Sequence, residues 1–346
     1  MVKKTIFSGI QPSGDLHVGN YIGMIRQSVN LQESGEFSDL IFCVVDLHAI
    51  TVFQDPKVLR EKNLELSALY LAGGIDPNKS KLFIQSENPD HTYLAWIFDC
   101  FLNMGQLFRM TQFKEKAQKF IKADNLSSLA EARALFEGPV GLFNYPALMA
   151  ADILLYDTNV VPVGEDQRQH VELTRDIAEK FNKQFGEIFV LPETRVDRDA
   201  ARIMSLQNPL SKMSKSDKDP LGTINILNTP DEIREKIKKA VTDSGSEVVF
   251  KEDKPAISNL LVIYSRLSGK PVEEIEKQYQ GIGYGQFKSD LAEVVVGSLK
   301  KIQEKYQVIK KDEGYLNKVL NEGRDFSLEK SSQKIKEIKR LMGLGR

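Results

Sequence analysis

Two polar clusters far apart in this chain of 346 residues carry side chains suited to handling phosphate. The first is Gly9-Ile10-Gln11-Pro12-Ser13-Gly14-Asp15-Leu16-His17-Val18-Gly19-Asn20, a turn that leaves a strand-like run. Gly9 and Gly14 lack a Cβ, so a phosphate or a base can approach the main chain closely. Gln11 and Ser13 offer polar groups at the strand end. His17 and Asn20 stand three apart at the opening of a helix and share one face. The imidazole can donate to a phosphate oxygen, and the amide carries two donors. The helix amino terminus adds partial positive charge. Alone, the segment also reads as ordinary turn chemistry. The second cluster is Lys212-Met213-Ser214-Lys215-Ser216, followed by Asp217-Lys218-Asp219. Two ammonium groups on flexible stems in a polar stretch suit an exposed, mobile loop, which reads either as a solvated charge cluster or as a lid that folds over a triphosphate. There Lys212 and Lys215 would meet the charge that builds on a departing pyrophosphate. A cation engaged mainly in the transition state lowers the barrier rather than only binding substrate.

A third feature is Asp152, nearly the lone polar residue in the apolar stretch 145–156. A carboxylate in such company is costly unless partnered. It either caps a helix or faces solvent, or it accepts a hydrogen bond from a ligand. An indole has one N–H donor and no acceptor. A carboxylate receiving that bond selects indole over phenyl, because a buried unmatched carboxylate penalises the wrong ring. Met149 lies three residues earlier on the same helical face, and the Tyr145 hydroxyl could meet an ammonium group. Val163-Gly164-Glu165-Asp166-Gln167-Arg168-Gln169-His170 is another strand-to-helix junction. Gly164 permits close approach, Asp166 can accept from ribose hydroxyls, and the Gln167 carbonyl oxygen can reach an ammonium. His170 reads as structural, packed on the following helix.

The elements that must position these groups alternate. The continuous apolar run from Leu40 to Val45 reads as a parallel strand buried on both faces, and Thr5-Ile6-Phe7, Leu82-Phe83-Ile84 and Val160-Val161-Pro162-Val163 read as further strands. Helices are expected from His17 towards Glu33, from Asp55-Pro56 to Gly73-Gly74, and from Gly164 to Phe181. This alternation predicts an α/β fold with a doubly wound parallel, Rossmann-like sheet and ligands at the carboxyl ends of its strands. Helical patterns at 92–110, 126–136 and 145–156 suggest a helical insertion at about 90–145. The expected division is a catalytic domain over 1–204, a mobile lysine loop over 205–222 and a mainly α-helical domain over 223–346. In the last, Thr229-Pro230 and Pro271 open helices, 290–308 is strongly amphipathic, and 328–342 repeats the pattern.

Bulk composition narrows the class. Lys+Arg is 47 against Asp+Glu 48, a net charge of −1, so the whole chain carries no signature of nucleic-acid binding. Cys43 and Cys100 lack metal-type spacing and read as buried free thiols in a reducing compartment. No apolar run approaches the roughly 20 residues that span a bilayer, and the first residues do not form a signal peptide. A cytoplasmic protein is expected.

Taken together, the two phosphate-type clusters resemble the ATP-handling signatures of class I aminoacyl-tRNA synthetases. His17-Val18-Gly19-Asn20 is similar to the family motif His-Ile-Gly-His, with Asn20 replacing the second His. Asn there, after Gln-Pro-Ser-Gly, resembles the tryptophanyl-tRNA synthetases of bacterial type. The likeness extends through Asp46-Leu47-His48-Ala49-Ile50-Thr51, Arg109-Met110-Thr111-Gln112-Phe113, Arg202-Ile203-Met204-Ser205-Leu206, Ala240-Val241-Thr242-Asp243-Ser244 and Ile257-Ser258-Asn259-Leu260-Leu261.

The resemblance implies activation of L-tryptophan with ATP and Mg2+, transfer to the 3′-terminal ribose of tRNA(Trp), a homodimer, and a helical half that reads the anticodon. It assigns catalysis to Lys212, Lys215, His17 and Lys116. ATP falls to Gln11, Pro12, Ser13, Gly19, Asn20, Gly164, Glu165, Asp166, Ile203, Lys212, Met213, Ser214, Lys215 and Ser216. Tryptophan falls to Asp152, Phe7, Gly9, Val45, Tyr145, Met149, Ile153, Val161, Val163 and Gln167. No dedicated protein metal site is expected. The connection between Lys114 and Tyr145 is longer than the family pattern. The rival readings are a tyrosyl-tRNA synthetase, whose phenol needs more polar partners, a nucleotidylyltransferase of the same superfamily, and a silent relative that binds without catalysis.

Overall fold

A computed structural model describes residues 4–110, 138–195, 202–215, 217 and 219–346. Five parallel strands form one sheet: β1 (Thr5–Ile10), β2 (Asp39–Val44), β3 (Lys81–Ile84), β4 (Val160–Pro162) and β5 (Glu193–Arg195). Their order is β3-β2-β1-β4-β5, so the chain reverses its winding at β1. Phe7 pairs with Ile41, Cys43 with Phe83 and Val160 with Glu193. The four expected strands are present. β5 has no sequence signal: it is three residues of polar Glu-Thr-Arg, tolerated because an edge strand is covered on one side only.

Period-two alternation sends side chains to two different cores. Ile6, Ile10, Leu40, Phe42, Val44, Leu82 and Val160 join one apolar cluster, which continues into the carboxyl-terminal helices. Phe7, Ile41, Cys43, Val45, Phe83 and Val161 join a second cluster on the opposite face.

On the first face lie α1 (Val18–Asn20), a π turn at Tyr21–Ile25, α2 (Arg26–Glu33) and α4 (Pro56–Ala72). Asp55 caps α4 by accepting the N–H groups of Lys57 and Val58 at 2.9 and 3.0 Å, with Pro56 as its first residue. The short α3 (Asp46–Ala49) follows β2 directly. On the second face lie α5 (Asp90–Asp99), α6 (Met104–Phe108), α7 (Val140–Leu154) and α8 (Arg168–Phe185). The helix expected over 92–110 is thus two helices, broken between residues 100 and 103. The one expected over 126–136 lies outside the described residues. Cys43 is buried, but Cys100 is exposed at the end of α5, where the helix leaves the core.

The helical half contains α9 (Pro230–Lys238), α10 (Pro255–Ser268), α11 (Val272–Gln278), α12 (Tyr284–Lys311) and α13 (Glu313–Met342). Thr229 and Glu232 form a reciprocal capping box at the start of α9. Helix α13 runs past the β3 edge of the sheet. Leu316, Val319 and Leu320 pack into the first core, and Ile335 and Ile338 into the second. Gly323 marks the crossing, because a Cβ there would collide with the main chain of Leu82.

Candidate active site

The two phosphate-type clusters meet at the carboxyl end of β1. The lysine segment folds as a hairpin: Met213 N–H donates to the Ile203 carbonyl at 3.0 Å, and Ser205 N–H to the Ser211 carbonyl at 2.8 Å. Its exit then runs beside the first cluster. Val18 N–H donates to the Ile224 carbonyl at 2.9 Å, and Ile226 N–H to the Leu16 carbonyl at 2.8 Å. Residues separated by two hundred positions are therefore stitched main chain to main chain. Met213 is 1% exposed, among Ile203 and Ile224 in the first core. This corrects the expectation of a wholly exposed loop. Lys212 is exposed, Ser214 and Lys215 are half-buried, and the buried Met213 anchors them. Lys215 lies over Gly14, and its ammonium donates to the Gln11 carbonyl at 3.4 Å. Ser216 lies outside the described residues, as does Lys116.

His17 is buried at 3% exposure. Its main-chain N–H donates to Asn20 Oδ1 at 3.1 Å, and the main-chain N–H of Asn20 returns a bond to His17 Nδ1 at 3.3 Å. Because Nδ1 accepts, the ring proton sits on Nε2, which is left as a donor. Burial, then the charges of Lys215 and Lys212, lower the His17 pKa from 6.5 to about 4. The ring is a neutral donor at pH 7, and Asn20 serves as its partner rather than as a second protonatable group. Gly19 lies against the His17 ring and Ile203, where a Cβ would come within 3.0 and 3.4 Å. Burial, then repulsion from Lys62, lowers the Lys215 pKa to about 8, against the pull of Asp15 and Glu65. Lys62, on α4, pairs with Asp15 and Glu65 at 2.6 Å each. Nothing local in the sequence marks Lys62, because only the fold brings α4 beside the Gly14 turn. Pro12 is buried in that turn and Ser13 is half-buried.

Asp152 is 2% exposed, so it does not face solvent. Its Oδ1 accepts from Gln85 Nε2 and from His91 Nδ1, each at 2.6 Å, and its Oδ2 pairs with His48 Nε2 at 2.9 Å. Burial pushes the pKa up, but the bonds from His48 and His91 outweigh it and hold it at about 2. These three partners are absent from the sequence-based site. Gln85 directly follows β3, and His48 lies in α3, the short helix after β2, both at the carboxyl ends where ligand groups are expected in such sheets. That position was the available signal. Gln11 ties the two centres: its side chain donates to the His48 carbonyl at 2.8 Å, and its own carbonyl receives Lys215.

The residues expected to wall the amino-acid pocket share the second face of the sheet with α7, the helix that carries Asp152. Phe7, Val45, Ile153 and Val161 are buried in the second core, with Met149 and Val163 packed against it. Phe7 stacks on Tyr156, ring centroids 5.7 Å apart. Gly9 faces Val45, where a Cβ would come within 2.9 Å. Tyr145 and His170 share a hydrogen bond at 2.8 Å, so His170 braces that hydroxyl. At the β4 junction, Gln167 donates to Asp166 at 3.0 Å, Glu165 pairs with Arg168 at 2.7 Å, and a Cβ at Gly164 would press on Asp166. Among the described residues, no group of three or more His, Cys, Asp or Glu is placed to hold a metal ion, and no helix is long and apolar enough to cross a membrane.

A doubly wound sheet whose strand ends hold a histidine turn, a lysine hairpin and a buried carboxylate has the architecture of an ATP-using class I synthetase. Residues 2–300 match the model for tRNA synthetases class I (W and Y), and the chain belongs to that family. It is an aminoacyl-tRNA synthetase, a ligase. The chain is 51% identical to the tryptophan–tRNA ligase of Wolinella succinogenes over 344 residues, covering 99% of this chain and 100% of that one. The crystal structure of tryptophanyl-tRNA synthetase from Mycoplasma pneumoniae superposes with a TM-score of 0.87 at 35% identity, covering 99% of each chain. That of Campylobacter jejuni, complexed with ADP and tryptophan, superposes with a TM-score of 0.80 at 37% identity, covering 98% of this chain and 100% of the other.

Proposed function

We propose that this chain is a tryptophan–tRNA ligase. It activates L-tryptophan with ATP to tryptophanyl adenylate and pyrophosphate, then esterifies tryptophan to the 3′-terminal ribose of tRNA(Trp). The observation that carries this reading is Asp152: a buried, ionised carboxylate in an apolar wall, held by His48, His91 and Gln85. Its Oδ2 has one partner among the described residues, and a carboxylate oxygen can accept twice. An indole N–H matches that remaining capacity. A phenyl ring leaves it unmatched in an apolar setting, which is costly.

In the first step a carboxylate oxygen of tryptophan attacks the α-phosphorus, and the bond from that phosphorus to the β-phosphate bridging oxygen breaks. His17 Nε2–H donates to a phosphate oxygen. Lys215 leaves the Gln11 carbonyl and, with Lys212, follows the negative charge onto pyrophosphate. Asn20, Ser13 and the Gly14 turn line the phosphate path, and Asp166 accepts from the ribose. Gln167 and Tyr145 take the ammonium of the amino acid. Magnesium enters with ATP, as the counterion of its phosphates. The segment 205–222 acts as the lid, 223–346 contacts tRNA, the protein works as a homodimer, and its compartment is the cytoplasm. The test is transfer of labelled tryptophan to tRNA(Trp). An ester formed with tryptophan and not with tyrosine supports the reading; an ester formed equally with tyrosine overturns it.

A further inference from the structure

A chain of buried polar groups leads from Asp152 to the carboxyl-terminal helix, and the chemistry above uses none of it beyond His91. His91 Nδ1 meets Asp152, and its Nε2 meets the Tyr156 hydroxyl at 2.7 Å. The Tyr156 oxygen accepts from Asn88 Nδ2 at 3.3 Å. The same amide nitrogen lies 3.3 Å from Ser327 Oγ and 3.0 Å from Ser331 Oγ, both on α13, so its two protons are shared among three oxygens. Asn88, His91, Ser327 and Ser331 are fully buried.

The direction of each link is set by its neighbours. The Ser331 hydroxyl donates to Asp90 at 2.6 Å and that of Ser327 to the Arg324 carbonyl at 2.7 Å, so both accept from Asn88. The ionised Asp152 Oδ1 can only accept, so His91 donates from Nδ1 and its Nε2 accepts from the Tyr156 hydroxyl. Burial, then the charges of Cys43 and Asp152, push the Tyr156 phenol well above its ordinary range, which keeps that donor protonated. The face of α13 that bears these serines follows a four-residue spacing, Gly323, Ser327, Ser331, and Gly323 lies against the Leu82 main chain with no room for a Cβ. A shift of α13 along the sheet edge therefore moves the acceptors of Asn88, while Leu316 and Leu320 tie the same helix to the helical half.

We propose that Asn88 and Tyr156 are positioning residues that make tryptophan selection by Asp152 depend on how α13 is seated against β3. The proposal rests on the reading of Asp152 as the indole acceptor. It assigns a specificity role to residues that touch no substrate, and it makes the helical half a determinant of amino-acid affinity.

The test measures KM for tryptophan, KM for ATP and kcat in pyrophosphate exchange, for Tyr156→Phe and for Ser327→Ala combined with Ser331→Ala. Loss of one buried hydrogen bond predicts KM for tryptophan raised about tenfold by Tyr156→Phe and about threefold by the serine pair. The kcat and the KM for ATP stay within about twofold, because the phosphate path is untouched. A uniform fall in kcat with unchanged KM for tryptophan is the mark of a merely structural role and overturns the proposal, as does no change in either variant. If Tyr156→Phe shows no cooperative melt, the serine pair decides by the same criterion. Asp152→Ala separates the layers: a raised KM for tryptophan there, with none in the relay variants, removes the relay alone. An unaltered KM in Asp152→Ala removes the indole reading beneath it.

Discussion

Lys215 packs across Gly14: a Cβ on Gly14 would lie 3.1 Å from the Lys215 Cβ, and Gly14 itself holds φ at +63°. The cation of one signature thus rests on the turn of the other. Gly14→Ala would add both backbone strain and a contact that pushes the lysine away. Adenylate formation should fall about tenfold while tryptophan affinity is retained, since the proposed Asp152 site lies on the opposite face of the sheet. Single-turnover kinetics beside equilibrium tryptophan binding reads both.

Lys215→Ala removes the cation but leaves the turn intact. Loss of one group that stabilises transition-state charge predicts a decline of about 10²-fold or more in the rate of adenylate formation. Tryptophan affinity should change little. A large affinity loss with an unchanged chemical rate would contradict the lid role.

The same lysine predicts a pH limit on activity. Its pKa in the free protein is about 8, and kcat/KM reports groups of the free enzyme. The kcat/KM for ATP should therefore decline as pH rises through about 8. Lys215→Arg keeps its charge across that range, so its profile should be flat there, though at a lower level. A wild-type profile flat through pH 9 would separate Lys215 from the rate.

Stability should respond at the acid end. His17 has a folded pKa of about 4 against the ordinary 6.5 of an exposed imidazole, so the unfolded chain binds more protons between those values. Stability then falls as pH drops through that window. Asp152, at about 2 against 3.8, adds a further loss only below pH 4. Denaturant midpoints for wild type and His17→Asn should converge as pH falls from 6.5 to 4. Parallel lines would contradict the burial of a neutral His17.

Much of this arrangement was legible in the amino-acid order, and the exceptions have physical causes. Apolar runs at β1 to β4 marked buried parallel strands, and Asp55-Pro56 marked a capped helix. β5 escaped notice because an edge strand needs no apolar run. The amphipathic pattern over 290–308 extends in the structure to Tyr284–Lys311, and that over 328–342 to Glu313–Met342. Gly314 and Gly323 obscured the first half of the last helix, and Gly323 is small because it crosses the sheet edge. The acceptor Asp152 stood out as a carboxylate among apolar residues. Its partners His48, Gln85 and His91 did not, since they come from separate elements and converge only when the sheet forms.

The crossing at Gly323 carries its own prediction. Gly323→Ala would place a methyl against the Leu82 main chain, which cannot give way as a side chain can. Overpacking of this kind costs about 1–3 kcal/mol, so the melting temperature should fall by several degrees. An unchanged Tm would mean that α13 is not seated as described.

Tryptophan activation by this chain is proposed to rest on a buried aspartate beside a converging histidine turn and lysine hairpin. Exchange of labelled pyrophosphate into ATP, run with each amino acid in turn on wild type and Asp152→Ala, is the deciding measurement. Exchange is expected with tryptophan, with almost none for tyrosine or phenylalanine, and that preference should collapse in the variant. Equal exchange with tyrosine in the wild type, or undiminished discrimination in the variant, would contradict this proposal.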